Sequence, residues 1–241
     1  YNIPIIIIAQ YLSAIFIMAP EQRALSILLD FNIFILVFAS AIAIASGYII
    51  NNFYDSQKDL INRPSKSMLD RLVSQKTKLQ VYFTLNFIVA LMAWFISWRA
   101  LLFFSFYIFL IWFYSHKLKK IVFIGNLSAA LLAVWPFFAI LLYYYQPTSI
   151  EELERHKDHF AVIIAHASFL FLLILIRELI KDLENLKGDL ANNYHTIPVF
   201  YGESWSKRIS TGLTVLTLVP VYILIELYDV GYMDIYFYSS L

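Results

Sequence analysis

The chain has 241 residues, of which 61% are hydrophobic and 18% aromatic, and its mean hydropathy is +0.69. This composition is far too apolar for a soluble globular domain and predicts a polytopic membrane protein. The formal net charge is only +1, and the absence of cysteine excludes thiolate metal sites and disulfides. No nucleic acid is expected among the partners of such a chain.

A membrane-spanning helix needs about 20 apolar residues. Runs of this kind occur at residues 2–20, 31–50, 79–98, 100–115, 121–146, 160–176 and 209–225. They are apolar on all sides and do not alternate with a period of two, which favours helices over a β-barrel. The predicted fold is therefore an all-α transmembrane bundle with seven spans, kinked where Pro136 and Pro220 lie inside a span.

The carboxyl-terminal end of the chain carries part of an eighth span. Residues 231–241 are apolar, but a helix of this length reaches only about 16 Å, which is half a bilayer. We therefore interpret residues 1–241 as a single transmembrane domain that is truncated at its carboxyl terminus. A short amino-terminal piece is also expected to be missing, because the first span begins at Tyr1 without an initiator methionine.

Basic residues are concentrated on one face of the membrane. The loops at 56–78, 117–120 and 181–208 lie on the same side, because two spans separate each loop from the next, and they hold most of the lysines and arginines. The positive-inside rule predicts that this face is cytoplasmic.

Two acidic segments follow the second and sixth spans on this face, with no helix breaker before them. In the first, Asn51, Asp55 and Asp59 recur every four residues. In the second, Asp182, Asn185 and Asp189 follow at i, i+3 and i+7. Either spacing places the three side chains of a segment on one face of a helix.

Clustered carboxylates repel one another, so a cation is expected between the two segments. Hard oxygen ligands without sulfur favour Mg²⁺. Basic side chains on the same membrane face, at Arg63, Lys66, Lys119 and Lys120, add the positive charge that a diphosphate needs. A diphosphate esterified to an isoprenyl chain would suit the site, since its tail could lie among the aromatic residues of 31–53.

These segments resemble the two signatures of the UbiA-type intramembrane prenyltransferases. Residues 51–64, N-N-F-Y-D-S-Q-K-D-L-I-N-R-P, resemble the first signature, N-D-x-x-D-x-x-x-D followed by N-R-P. Residues 177–189, together with T-I-P-V at 196–199, look like the second. Tyr114 with the lysines at 119 and 120 is similar to the connection between the family's fourth and fifth helices, and Asn2 to an asparagine near the start of its first helix.

The resemblance implies a nine-helix bundle with a central cavity that is capped on the cytoplasmic side by the two motifs. It implies that two Mg²⁺ ions hold a prenyl diphosphate, with geranylgeranyl diphosphate the expected donor. The implied metal ligands are Asn51, Asp55, Asp59, Asp182, Asn185 and Asp189, and the four aspartates are the implied catalytic residues. The implied diphosphate and substrate contacts are Arg63, Lys119, Lys120, Tyr114 and Asn2. Asn52 and Asn185 replace two acids of the family pattern, and each change removes one negative charge.

The resemblance leaves the acceptor open between aromatic quinone precursors and glycerol-phosphate lipids. Residues 181–189 look closest to the digeranylgeranylglyceryl phosphate synthase-like branch. Two alternatives to a prenyltransferase are a cation-coupled transporter and a lipid-diphosphate binding protein without turnover. Two histidines are predicted to be structural, with His166 hydrogen-bonded in the interior and His195 exposed in a loop.

Overall fold

The computed structural model describes residues 2–19, 21–62, 64–70, 72–144 and 157–226. Arg63 and the predicted partial span at 231–241 lie outside the described residues, and so do the side chains of Asn2 and Lys66.

The described residues form helices joined by short connections, with no β-strand among them. The helices are α1 (Asn2–Ser13), α2 (Ala24–Leu28), α3 (Phe31–Asn62), α4 (Pro64–Asp70), α5 (Gln75–Ile96), α6 (Trp98–His116), α7 (Ile124–Val134), α8 (Ala139–Tyr144), α9 (Lys157–Glu184), α10 (Leu186–Ala191), α11 (Ile197–Tyr201), α12 (Glu203–Leu216) and α13 (Leu218–Glu226). A π-helical turn (Ala14–Met18) extends α1, and 3₁₀ turns (Leu118–Lys120 and Trp135–Phe138) precede and follow α7. The predicted all-α class is confirmed.

Six helical segments of the described chain are long and apolar enough to cross a membrane. They are Phe31–Asn62, Gln75–Ile96, Trp98–Lys120, Ile124–Tyr144, Phe160–Glu184 and Glu203–Glu226. They correspond to six of the seven predicted spans. The first predicted span, 2–20, is a shorter apolar helix (Ile3–Met18), so the count of seven stays a prediction.

Both spans that contain proline, which were predicted to be kinked, are interrupted as α-helices. At Pro136 the helix changes to a 3₁₀ turn between α7 and α8. Proline has no backbone N–H, so the carbonyl of Leu132 loses its usual helical donor. The hydroxyl of Tyr107 in α6 donates to that carbonyl at 3.1 Å and replaces the missing bond. The second interruption separates α12 from α13, shortly before Pro220.

Helix α3 is the central element of the bundle, and it packs against α1, α5 and α6. Small buried side chains, such as Ala39, Ala43 and Ser46, let the neighbouring helices approach closely. Gln10 in α1 is fully buried, and its Nε2 donates to the Oγ of Ser40 at 3.0 Å and to the carbonyl of Pro136 at 2.6 Å. This amide therefore ties α1 to α3 and to the break after α7.

The start of α3 is fixed by Asp30. Its Oδ1 accepts hydrogen bonds from the backbone N–H groups of Asn32 and Ile33 at 2.8 and 3.1 Å, which is an N-cap arrangement. Its Oδ2 accepts from the hydroxyl of Tyr143 in α8 at 2.7 Å. Partial burial raises the pKa of Asp30, but the hydrogen bonds from Tyr143, Ile33 and Asn32 outweigh burial, so the pKa lies below its ordinary value.

Removing this cap should destabilise the protein. We expect Asp30→Ala to lower the free energy of unfolding by about 1 kcal/mol, while Asp30→Asn keeps a capping oxygen and loses less. The lowered pKa stabilises the folded state above the unfolded value of about 3.9, and this contribution is lost as the pH falls through the folded pKa. Thermal unfolding in detergent at pH 7 and at pH 3 tests both points, and equal midpoints for Asp30→Ala and wild type at pH 7 would contradict the cap.

Candidate active site

A cavity of about 1370 Å³ opens at the ends of α3 and α9, where the two acidic motifs lie. The polar end is formed by side chains of α3, α9 and the 3₁₀ turn before α7. The deeper wall is apolar and includes Ile5, Ala9, Ala133, Leu170 and Ile174. A hollow with a charged mouth and an apolar interior suits an amphiphilic ligand.

The first motif has the arrangement that its spacing predicts. Helix α3 continues without interruption to Asn62, so Asn51, Asp55 and Asp59 share one face. All three line the cavity, and so does Asn52. The carboxylate of Asp55 is buried among the walls of the site.

The second motif is only partly as predicted. Asp182 and Asn185 line the same cavity as the first motif. Helix α9 ends at Glu184, however, and α10 begins at Leu186, so the expected single helical face is wrong for Asp189. Asp189 is fully buried behind the cavity wall rather than stacked above Asp182.

Two lysines neutralise carboxylates of the site. The Nζ of Lys119 lies 2.6 Å from Oδ1 of Asp55 and 3.3 Å from Oδ1 of Asn51. The Nζ of Lys58 forms an ion pair with Oδ1 of Asp189, and Thr196 donates to Oδ2 of the same carboxylate at 3.4 Å. Burial raises the pKa of Asp189, and the Lys58 ammonium opposes this rise. Each pair joins elements that are distant in sequence.

A stripe of α3 holds the segment 186–196 against the cavity. Asp55, Lys58 and Asn62 follow at i, i+3 and i+7, and each contacts that segment. The Oδ1 of Asn62 accepts from the N–H of Gly188 at 2.9 Å. A Cβ at Gly188 would overlap the side-chain amide of Asn62, so any larger residue would push this amide away and break its hydrogen bond.

Tyr194 is a site residue that the sequence did not reveal. Its hydroxyl donates to Oδ1 of Asp55 at 3.0 Å, and its ring centroid lies 4.5 Å from the Nζ of Lys58. Burial raises the pKa of Tyr194 far above its ordinary value, and the neighbouring Asp55 carboxylate raises it further. The hydroxyl therefore stays protonated and remains a donor. Asn193, which has a positive φ of 55°, makes the turn that brings Tyr194 to this position.

Two further polar contacts of the site were also missed. The Nζ of Lys78 donates to Oδ1 of Asn52 at 2.7 Å, and the Nδ2 of Asn126 donates to Oδ2 of Asp182 at 2.7 Å. The motif spacing carries no signal for Lys78.

The remaining predicted residues lie at different distances from the cavity. Tyr114 lines it, and Lys119 reaches it from the 3₁₀ turn (Leu118–Lys120). Lys120 is exposed and lies outside the lining, with its Nζ 5.4 Å from the ring of Tyr194. His166 forms a hydrogen bond with the carbonyl of Val162 at 2.8 Å and His195 is exposed, as predicted for their placement, and their structural role stays a prediction.

The donor set of the cavity fits a hard divalent cation. The cavity-lining oxygens of the two motifs belong to carboxylates and amides, at Asn51, Asp55, Asp59, Asp182 and Asn185. Across the described ranges, no three acidic or histidine side chains already converge on a point where a metal would sit. In this arrangement the ammonium groups of Lys119 and Lys58 lie beside Asp55 and Asp189.

Fold and site together define an integral, multi-pass membrane protein with an oxygen-lined cavity at one end of its helices. The family model described as the UbiA prenyltransferase family matches residues 8–241. The chain belongs to this family.

Named relatives and solved structures agree with this assignment. The digeranylgeranylglyceryl phosphate synthase of Methanobrevibacter smithii is 25% identical over 211 residues, covering 85% of this chain and 71% of the relative. The synthase of Thermococcus kodakarensis is 29% identical over 196 residues, covering 80% of this chain and 64% of the relative. This chain thus spans about two thirds of the length of the curated relatives that it matches.

The fold is similar to two solved UbiA homologues. The apo structure of the homologue from Aeropyrum pernix has a TM-score of 0.72 at 15% identity, covering 95% of this chain and 81% of that one. The homologue from Archaeoglobus fulgidus bound to DMAPP and Mg²⁺ has a TM-score of 0.69 at 15% identity, covering 95% and 76%.

The contact between Gly188 and Asn62 can be tested by a double-mutant cycle. Gly188→Ala should lower the free energy of unfolding by about 1–3 kcal/mol, because the new methyl group overlaps the Asn62 amide. Asn62→Ala removes the obstacle, so Gly188→Ala should cost less in the Asn62→Ala background. Thermal unfolding in detergent measures all four proteins.

Gly212 provides the matched control for this cycle. It also lies in a helix, but nothing lies within 4 Å of a Cβ placed there, so Gly212→Ala should be neutral or slightly stabilising. Equal costs at positions 188 and 212 would contradict the docking of segment 186–196 on α3.

Proposed function

We propose that this protein is a magnesium-dependent intramembrane prenyltransferase. It takes a polyprenyl diphosphate, geranylgeranyl diphosphate being the expected donor, and transfers the prenyl group to an acceptor in the same cavity. The observation that carries the proposal is the convergence of both acidic motifs, from α3 and α9, on one cavity with an apolar interior. Membership of the UbiA prenyltransferase family supports it.

Asn51, Asp55, Asp59, Asp182 and Asn185 would hold Mg²⁺, because these residues line the cavity from both motifs and carry oxygen ligands. When bound, Mg²⁺ supplies charge that stabilises diphosphate as a leaving group. The relatives named above and the Archaeoglobus fulgidus homologue bound to DMAPP and Mg²⁺ support this chemistry. Direct ligation by Asp189 remains a prediction. Its burial behind Lys58 favours a role in orienting that lysine.

Lysine side chains would bind the diphosphate. Lys58 and Lys119 both line the cavity, and each is held by a buried carboxylate, so their positions are fixed before a substrate arrives. Such preorganised donors act on charge as it develops on the leaving oxygen. Arg63 and Lys120 remain proposed contacts of the same diphosphate.

Aromatic rings would stabilise the allylic carbon as it becomes cationic. Tyr48, Tyr107 and Tyr114 line the cavity between the motifs and its apolar interior. Their faces attract a cation without supplying a strong nucleophile. The apolar wall beyond them would hold the prenyl chain and exclude water from the reacting carbon.

Loss of a motif carboxylate should lower turnover strongly. With Mg²⁺, radiolabelled geranylgeranyl diphosphate and geranylgeranylglyceryl phosphate, we expect wild-type protein to form a prenylated lipid and release diphosphate. Asp55→Asn and Asp182→Asn should each lower the rate about a hundredfold or more, and EDTA should stop the reaction.

Glu203→Gln is the control for these variants, because Glu203 is exposed and pairs only with Lys207 on the surface of α12 among the described residues. It should keep the wild-type rate. Undiminished transfer by Asp55→Asn and Asp182→Asn would refute the proposed site, and cation flux in liposomes without prenyl transfer would favour a transporter.

We also propose that the active site faces the cytoplasm. The basic loops at 56–78, 117–120 and 181–208 support this orientation.

Helix α6 offers a direct test of the orientation, since exposed Arg99 and Lys117 lie at its opposite ends. Residues 1–241 contain no cysteine, so an introduced thiol is the only labelling target within them, and the protein is purified after labelling. In intact cells, a membrane-impermeant maleimide should label Arg99→Cys and leave Lys117→Cys unlabelled until the membrane is permeabilised, and the reverse pattern would contradict the orientation.

A further inference from the structure

Two basic side chains of α9 form a second cationic group in the cavity, separate from the lysines that pair with the aspartates. Arg177 and Lys181 are four residues apart and project from the same face of the helix. Both line the cavity, and their side chains remain 61% and 42% exposed. The proposed prenyl-diphosphate site uses neither of them.

Glu178 holds both of these cations in place. Its buried carboxylate accepts from the Nη1 of Arg177 at 3.0 Å through Oε1 and from the Nζ of Lys181 at 2.8 Å through Oε2. One carboxylate thus serves two cations, and the group of three carries a net charge of +1. A guanidinium has five N–H donors, so Arg177 keeps donors for a ligand in the cavity.

This cationic group stands at the end of its own apolar track. Of the six α9 residues that line the cavity, Leu170, Ile174, Arg177 and Lys181 recur every three or four positions, and Glu178 and Asp182 line it beside the two cations. The lining residues of α3 include a similar track, at Ile44, Gly47, Tyr48, Asn51 and Asp55. Each helix therefore offers an apolar stripe that leads to a polar head. The cavity of about 1370 Å³ is larger than the roughly 300–1,000 Å³ typical of a site for one small ligand.

We propose that Arg177 and Lys181 bind the phosphate of a phosphorylated lipid acceptor, whose chain lies along Leu170 and Ile174. The inference rests on the proposed function and specifies its acceptor class as a glycerol-phosphate lipid rather than an aromatic ring. The prenyl diphosphate donor then lies along the α3 track of cavity-lining residues, and the acceptor lies along the α9 track.

The chemistry of a phosphate monoester matches this group of side chains. A monoester carries a charge of about −1.5 to −2 at neutral pH and presents three acceptor oxygens. The planar guanidinium can bind two of these oxygens at once, and Lys181 adds a point charge beside it. An acceptor without the phosphate would leave both cations without an anionic partner from the substrate, so the site should discriminate strongly against it.

Steady-state kinetics can separate the two tracks. Wild type, Arg177→Gln and Lys181→Gln are assayed with geranylgeranylglyceryl phosphate and with the same lipid lacking its phosphate. Each substitution should raise KM for the phosphorylated acceptor about tenfold or more and leave KM for geranylgeranyl diphosphate within twofold. The lipid without phosphate should be an equally poor acceptor for all three proteins. Arg177→Lys should restore part of the loss, because it keeps the charge but not the planar fork.

Lys207→Gln is the matched control. Lys207 forms the same kind of ion pair within a helix, with Glu203, but lies on the exposed surface of α12. It should change neither KM. A rise in donor KM alone, an unchanged acceptor KM, or a preference for an aromatic acceptor would each overturn the inference.

If no acceptor is prenylated, the proposed function is refuted. A binding measurement without turnover then still tests the phosphate site. Geranylgeranylglyceryl phosphate without donor should raise the thermal unfolding midpoint of wild type and of Lys207→Gln. The shift should be lost in Arg177→Gln/Lys181→Gln, provided that the midpoint of the double variant without lipid shows that it is folded. Equal shifts in all three proteins would refute the phosphate site.

Discussion

The geometry of the cavity depends on the attachment of segment 186–196 to the end of α3. Three contacts make this attachment: the ion pair of Lys58 with Asp189, the hydrogen bond of Tyr194 to Asp55, and the close approach of Gly188 to Asn62. The three α3 residues lie on one face, so a single helix surface holds the whole segment. Because that segment follows α9 directly, the attachment also brings Asp182 and Asn185 to the same cavity as the first motif.

Charge balance explains how so many ionisable groups are tolerated at the end of a membrane bundle. Each buried carboxylate of the described residues contacts a cation. Asp55 contacts Lys119 and Asp189 contacts Lys58, both from distant parts of the chain, whereas Glu178 contacts Arg177 and Lys181 of its own helix. A buried charge without a partner would cost several kcal/mol, and a paired charge costs much less. The same pairs fix the ammonium and guanidinium groups in orientations that an anionic substrate can use. Stability and substrate recognition therefore rely on the same ion pairs.

Local periodicity predicted those features that a single helix determines. Asn51, Asp55 and Asp59 share a face because α3 is continuous, and the break at Pro136 follows from the missing N–H of proline. Features that depend on long-range packing were not predictable in this way. Asp189 leaves the expected face because the helix breaks at Asn185 and Gly188 docks on Asn62, a residue 126 positions away in sequence. Tyr194 and Lys78 were missed for the same reason, since no spacing rule connects them to Asp55 or Asn52.

The proline break after α7 has a consequence for Tyr107. Its hydroxyl is committed to the carbonyl that Pro136 leaves without a helical donor, while its ring forms part of the cavity wall. The side chain is therefore already confined to one rotamer before any ligand enters. Ordering an aromatic wall on binding would reduce affinity through lost conformational entropy. In this protein the Tyr107 ring is ordered during folding, because its hydroxyl donates to the carbonyl left free at Pro136. The break in the helix therefore leaves a rigid aromatic surface for ligands to contact.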